Sequence, residues 1–280
     1  MNSSEQRGKK KRLILIIIAI VVLGIAAGTG VYLFLPVMRY NSAVQAMHSG
    51  NYEQASADFR RMGDYKDAPR LARQCDYLKA EAAMQAGDYA AASSLFAQAG
   101  DYSDAPLRVN EPYYREGESL LAAGDYDSAI EAFTKTISYA DAAIRINESY
   151  YKKGEALLEQ GSYAAARAAF AAAGAYADAG VQIRESLISE GKLLLETQAF
   201  SDAKALLLEA GTDAAADLIK QCDYGLAEAL LAEGFLDQAL EAFTAAGEYN
   251  DAPMRVKEVL ILQAEHAYAE GDYMRAIALL

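Results

Sequence analysis

Two hydrophobic patterns divide this chain. Residues Leu13 to Leu35 form an unbroken apolar run with no charge. At about 1.5 Å per residue, such a run matches a hydrocarbon core of about 30 Å and predicts one transmembrane helix. From Tyr40 onward the pattern changes: apolar positions recur every three or four residues, the period of an amphipathic helix packed on one face. β-branched residues are scarce outside residues 13 to 31, and there are five prolines in 280 residues, so helices are expected throughout and strands are not.

The helical segments repeat. A phrase of Gly, Asp or Asn, and Tyr, with variants, begins at Gly50, Gly87, Gly124, Gly161, Gln198, Gly234 and Gly271, at intervals of 37, 37, 37, 37, 36 and 37 residues. Seven copies at one period define a repeat array. Seven residues before each turn stand Ala43, Ala80, Gly117, Gly154, Gly191, Ala227 and Ala264. Five after it stand Ala55, Ala92, Ala129, Ala166, Ala203, Ala239 and Ala276. Two helices approach closely only where neither carries a bulky side chain, so these positions predict the crossing point of an antiparallel hairpin. Four residues further on, Phe59, Phe96, Phe133, Phe170, Leu207, Phe243 and Leu280 fill the core beside it.

Helix ends follow from the same alignment. Gly87 suits the left-handed position that closes a first helix, and Asp88 can cap the second, as can Asn51, Asp125, Ser162 and Asp272 in their copies. A second glycine, as at Gly63, Gly100, Gly174, Gly211 and Gly247, ends the second helix. The clearest connectors run Tyr65 to Pro69, Tyr102 to Pro106 and Tyr249 to Pro253, where Asp67, Asp104 and Asp251 are expected to cap the next helix. Asp104 with Arg108, Asp141 with Arg145 and Asp251 with Arg255 are spaced as i,i+4 pairs.

This order of small residue, turn, alanine, aromatic and alanine resembles the tetratricopeptide repeat over Tyr40 to Leu280. The period departs from the family's 34 residues, and the fifth copy, around Gln198 and Thr212 to Ala216, is the most degenerate. The expected fold is all-α: an α-solenoid of about seven antiparallel hairpins over 36–280, the last incomplete, after a transmembrane helix at 13–35 and a basic cytoplasmic tail at 1–12. The chain's stop inside the seventh hairpin suggests a truncated product. The resemblance implies that the first helices line a concave groove. Along them lie Tyr40, Tyr77, Tyr114, Tyr151 and Tyr224, and one turn on Glu81, Glu118, Glu155, Glu228 and Glu265. Tyr77, Glu81, Tyr114, Glu118, Tyr151, Glu155, Tyr224 and Glu228 are the candidate partner-binding residues. Tyrosine gives rigid interface area and carboxylates select basic groups. The alternative is that the tyrosines pack between repeats and the glutamates form a solvated face.

Charge sharpens the picture. Residues 1 to 39 hold six Lys/Arg against Glu5 alone, leaving 20 basic and 38 acidic residues from Tyr40 onward. An acidic array repels nucleic acid. The basic residues preceding Leu13 place the N-terminus in the cytoplasm and the repeats outside it; a cleaved signal peptide is the competing reading of this segment. Gly24 and Gly28 form a GxxxG pair through which two such helices could associate weakly. Cys75 and Cys222 occupy one repeat position four copies apart, too far for a disulfide, and His48 and His266 lie at opposite ends, so neither a disulfide nor a metal site is expected. No cofactor motif or catalytic signature is present, so an enzyme is not expected. The expected function is a membrane-anchored scaffold for a basic or neutral protein segment, concerned with envelope assembly or chaperoning. The alternative is an envelope glycan-binding protein with tyrosines stacked on sugars.

Overall fold

The computed structural model describes residues 16–18, 20 and 34–280. Among these residues there is no strand, and no helix is long and apolar enough to cross a membrane. The apolar run at 13–35 lies mostly outside the described residues. Helices follow one another through short turns: α1 (34–48), α2 (Tyr52–Arg61), α3 (Ala68–Ala86), α4 (Tyr89–Ala99), α5 (Ala105–Arg108), α6 (Glu111–Ala123), α7 (Tyr126–Thr134), α8 (Ala142–Glu159), α9 (Tyr163–Ala173), α10 (Ala179–Glu196), α11 (Phe200–Ala210), α12 (Asp213–Ala232), α13 (Leu236–Ala246), α14 (Ala252–Ala269) and α15 (Tyr273–Leu279). This is an all-helical solenoid of repeated hairpins. It divides into two compact units, one reaching Ser119 and including 135–140, the other comprising 120–134 and 141–280.

Within each unit the core is built joint by joint. In the first, Ala43, Ala55 and Phe59 of one hairpin close over Ala68, Leu71, Ala72 and Cys75 of the next. A second cluster joins Ala80, Phe96 and Ala99 to Ala105. In the second unit, Ala166, Phe170 and Ala173 meet Tyr151 and Ala179, and Ala227, Phe243 and Ala246 meet Ala252 and Val259. Each cluster thus needs the following repeat to complete it, as in other one-dimensional arrays. The small residues do mark the crossings: every one of those alanines is buried, and a Cβ on Gly154 would stand 2.7 Å from the Phe170 ring. Gly225 was not singled out by the repeat pattern, yet a Cβ there would meet Phe200 at 2.3 Å. Phe200 holds the turn tyrosine's place in the degenerate fifth copy.

First-helix ends behave as expected: Gly87 is left-handed at φ 77°, and Gln198 takes φ 61° where its copy lacks the glycine. Asn51, Asp88, Asp125 and Asp272 each accept a backbone N–H of the helix they precede, whereas Ser162 makes no side-chain cap bond.

The connectors correct the sequence reading. Asp67, Asp104 and Asp251 stand at the N-cap position but cap nothing with their side chains, because ψ near 12–18° turns them away from the extended geometry capping needs. The residue before each of them, Lys66, Ser103 and Asn250, is left-handed, as are Ala140 and Ala177 in their copies, at φ 46–53°. This tight turn is closed by an N–H to C=O bond from Ala to Tyr, as from Ala105 to Tyr102 at 3.1 Å. An alanine in that conformation carries a cost of about 1–2 kcal/mol, which the connector sustains.

The third copy departs most. Pro112 lacks an N–H and would clash with the carbonyl four residues earlier, so the expected single helix breaks into α5 and α6. Ser93 Oγ donates to the carbonyl of Val109 at the break, at 2.8 Å.

Candidate functional site

Five of the seven first helices carry a tyrosine three residues before the small crossing residue, with Ile188 and Ile261 in the other two copies, and where ring contacts are seen the tyrosine lies over its own hairpin's phenylalanine. Tyr77 stacks edge-on against Phe96 with centroids 5.5 Å apart, Tyr151 against Phe170 at 5.3 Å and Tyr224 against Phe243 at 5.6 Å. The connector tyrosine closes on the other side: Tyr102 on Tyr77, Tyr139 on Tyr114, Tyr176 on Tyr151 and Tyr249 on Tyr224, all at 5.6–5.7 Å. Tyr151 is only 8% exposed, and Tyr77, Tyr114 and Tyr224 are half-buried.

The hydroxyls explain what the connector aspartates do. Tyr40 donates to Asp67 at 2.5 Å, Tyr77 to Asp104 at 2.7 Å, Tyr224 to Asp251 at 2.6 Å, and Tyr151 to Asp178 likewise. Each bond spans 27 residues and ties one repeat to the start of the next. The hydrogen bond to Asp178, reinforced by desolvation, pushes the Tyr151 hydroxyl up to about 12, and Tyr40, Tyr77 and Tyr224 are raised for the same first cause. Asp67 and Asp178 are correspondingly held below the usual carboxylate range by the tyrosine bonds they accept.

The arginines also reach further than the sequence suggested. Arg145 does approach Asp141, at 3.3 Å. Arg108 instead bonds Tyr77 Oη at 2.8 Å, Glu81 at 2.9 Å and Glu111 at 2.8 Å, with its guanidinium 4.4 Å from the Phe96 centroid. Arg255 holds both oxygens of Glu228 at 2.5 and 2.7 Å, and Glu258 at 2.7 Å. The expected i,i+4 partners Asp104 and Asp251 are taken by tyrosines, so these arginines turn back across the joint. Partial burial disfavours the Arg108 charge, but bonds to Glu111, Glu81 and Tyr77 outweigh it and raise its pKa.

The candidate residues therefore separate by role. Tyr77, Tyr151 and Tyr224 with Glu81 and Glu228 belong to repeat-to-repeat clasps. Among the described residues Glu155 pairs with Lys152, one turn away on its own helix, and Glu118 is half-buried on α6. Signals for the clasps were present in the sequence, as Tyr and Asp 27 residues apart and Glu and Arg 27 residues apart, but those separations exceed any local helix rule.

A further set of polar joints lies between second helices and the first helices that follow. Asp76, fully buried, accepts from Ser56 Oγ at 2.8 Å and Arg60 at 2.5 Å. Lys204 meets buried Asp223 at 2.6 Å and Arg167 meets Glu190 at 2.6 Å. Cys75 and Cys222 are buried free thiols, pushed up to about 11 by desolvation, in keeping with packing roles. Among the described residues no three His, Cys, Asp or Glu gather as metal ligands.

The tyrosine bonds give a pH signature. Because the folded state raises the Tyr151 pKa above the ordinary value of about 10, the stability contributed is complete below pH 10 and lost as pH rises through about 12. Wild type is expected to be more stable than Tyr151→Phe at neutral pH, with the gap closing over that window. Denaturation midpoints of both proteins across the alkaline range check this; a gap that stays constant would show that the bond is not linked to ionisation.

A tetratricopeptide-repeat family model matches residues 114–180, within the array of hairpins. Solved structures similar to this chain include the apo form of RapI, at 12% identity over 88% of this chain and 74% of that one, with a TM-score of 0.23. The yeast Sti1 TPR2AB domain in complex with pHSP90 is 15% identical over 86% of this chain and 98% of that one, TM-score 0.22. A Rap protein complexed with competence and sporulation factor is 13% identical over 87% and 74%, TM-score 0.19. No curated protein matches the sequence.

Proposed function

We propose that this chain is a non-catalytic interaction scaffold, held in a membrane by residues 13–35 with its N-terminus cytoplasmic and its repeats outside, where they bind a basic or neutral segment of a partner protein. The observation that carries the binding reading holds within each unit separately: a first-helix carboxylate at the repeat position, Glu118 in one and Glu155 in the other, stands outside the cross-joint clasps that Arg108 and Arg255 make, although Val44 and Lys192 interrupt the row in two copies. Helical-hairpin arrays present such faces for peptide recognition, and an acidic face selects basic groups. The tyrosines then act as the frame that sets the spacing of these carboxylates. With the Tyr77, Tyr151 and Tyr224 rings engaged between aromatic neighbours, the glycan reading has fewer free stacking faces to draw on.

The test is affinity purification of the detergent-solubilised full chain, comparing wild type with Glu118→Lys/Glu155→Lys and with Asp202→Lys/Glu241→Lys, whose sites are exposed on the second helices α11 and α13. Binding of a basic partner is expected to fall about tenfold or more in the first variant, where like charges meet, and to persist in the second. Equal binding by both variants, or loss only in the second, would remove the first-helix face from consideration.

A further inference from the structure

The acidity of the array is not shared by its first repeat. Residues 36–67, the first hairpin and its connector, carry four Lys/Arg against four Asp/Glu and are neutral in sum, while residues 68–280 carry seventeen against thirty-four. The repeats serve as their own control for where those cations stand. Arg39 occupies a position held in the later copies by Asp76, Tyr113, Tyr150, Leu187, Asp223 and Leu260. Arg60 and Arg61 align with Ala97 and Gln98, Thr134 and Lys135, Ala171 and Ala172, Leu208 and Glu209, and Thr244 and Ala245. Lys66 aligns with Ser103, Ala140, Ala177 and Asn250. Only Lys135 matches the sign. Cations ending a helix could serve its dipole, but the other second helices do without them.

The fold gathers these residues at one end of the first hairpin. Because α2 runs antiparallel to α1, its last turn and the connector return beside the start of α1. There Pro36, Arg39 and Ser42 face Asp58, Arg61, Met62 and Tyr65 around an open cleft of about 520 Å³. Arg39 is exposed, and the Arg61 side chain is 76% exposed although it touches Asp58 at 2.9 Å. Lys66 is exposed beside the Tyr40 ring, its Nζ 4.6 Å from the centroid. The same end shows water an apolar collar, Phe34 at 69% exposure and Met38 at 64%, with Leu35 and Val37 between, where the chain arrives from the apolar run at 13–35.

We infer that this end of the first hairpin is a membrane-surface contact that seats Arg39, Arg61 and Lys66 on anionic phospholipid headgroups while Phe34, Leu35, Val37 and Met38 enter the interfacial layer. The inference rests on the anchor reading of residues 13–35. Basic residues beside an anionic bilayer each favour the contact about fivefold, and the attraction decays within a Debye length, so it acts on the first repeat alone. The acidic remainder of the chain is repelled by the same surface. The charge division thus gives the array a membrane-proximal end.

The experiment uses the full chain in nanodiscs of phosphatidylcholine alone or mixed with phosphatidylglycerol, reading backbone amide exchange over residues 58–66. Exchange is expected to slow about fivefold or more in the anionic discs and to recover in high salt. The neutralised variant Arg39→Gln/Arg61→Gln/Lys66→Asn, which spares Arg60 and its buried partner Asp76, is expected to show no lipid dependence while keeping its helical circular dichroism. A chain that inserts but exchanges equally in both lipids overturns this inference and leaves the anchor standing. A chain that fails to insert into either disc overturns the anchor reading, and the contact with it.

Discussion

Replacing Phe170 with alanine is expected to destabilise the second unit by about 3–5 kcal/mol, as large a loss as any single truncation in the core should give. The ring is fully buried, packed between Ala166, Ala173, Tyr151 and Ala179. Removing it loses the transfer free energy of the side chain, adds a cavity, and withdraws the edge contact that holds Tyr151, whose hydroxyl reaches Asp178 in the next connector. Collapse of neighbouring atoms into the space is limited on one side by α8, where Gly154 already lies as near the ring as a glycine allows. Because each repeat is completed by its neighbour, the damage should be graded: amide exchange rises most in α8, α9 and α10 and least in α3. Urea denaturation with residue-level exchange measures both. A uniform rise across all helices would mean that the array unfolds as one body, and a loss below about 1 kcal/mol would show that the ring is not the keystone its burial implies.

The hairpins were legible in the sequence because their determinants are local. A small residue, a turn glycine and an aromatic recur within one helix-turn-helix, and the helix period relates them directly to a buried crossing. The connectors misled for the opposite reason. An aspartate before a helix is ordinarily a cap, and an arginine four residues on is ordinarily its partner; both rules consider one helix at a time. In the fold Asp104 and Asp251 are bound by tyrosines from 27 residues earlier, which frees Arg108 and Arg255 to clasp Glu81 and Glu228. The left-handed Ala140 and Ala177 were invisible too, because alanine gives no sign of the conformation that its neighbours impose. The candidate residues all lie on first helices, while the division of those residues between joint and surface depended on contacts across repeats.

Removing the cation of a buried joint should cost far more than removing the joint's polarity altogether. Asp223 has a side chain only 6% exposed and is held by Lys204, itself about a third exposed, at 2.6 Å. Lys204→Leu leaves that carboxylate buried without its cation and is expected to cost about 3 kcal/mol, the low end of the range for broken buried pairs because water can reach the vacated side. Asp223→Leu leaves a lysine that can swing into solvent, with a loss of about 1 kcal/mol or less. The double variant Lys204→Leu/Asp223→Leu copies the residues that stand at the same repeat positions one joint later, Leu240 and Leu260. It should return to within about 1 kcal/mol of wild type, since a well-packed apolar pair replaces an ion pair at little cost. The ion pair would then contribute less to stability than to the matching of neighbours, because a hairpin carrying Asp223 suits only a preceding repeat that offers a cation. Urea midpoints for the four proteins of this cycle decide the matter. If the double variant is as unstable as Lys204→Leu, the charge pair itself holds the joint, and the idea that joint polarity sorts one repeat from another loses its support.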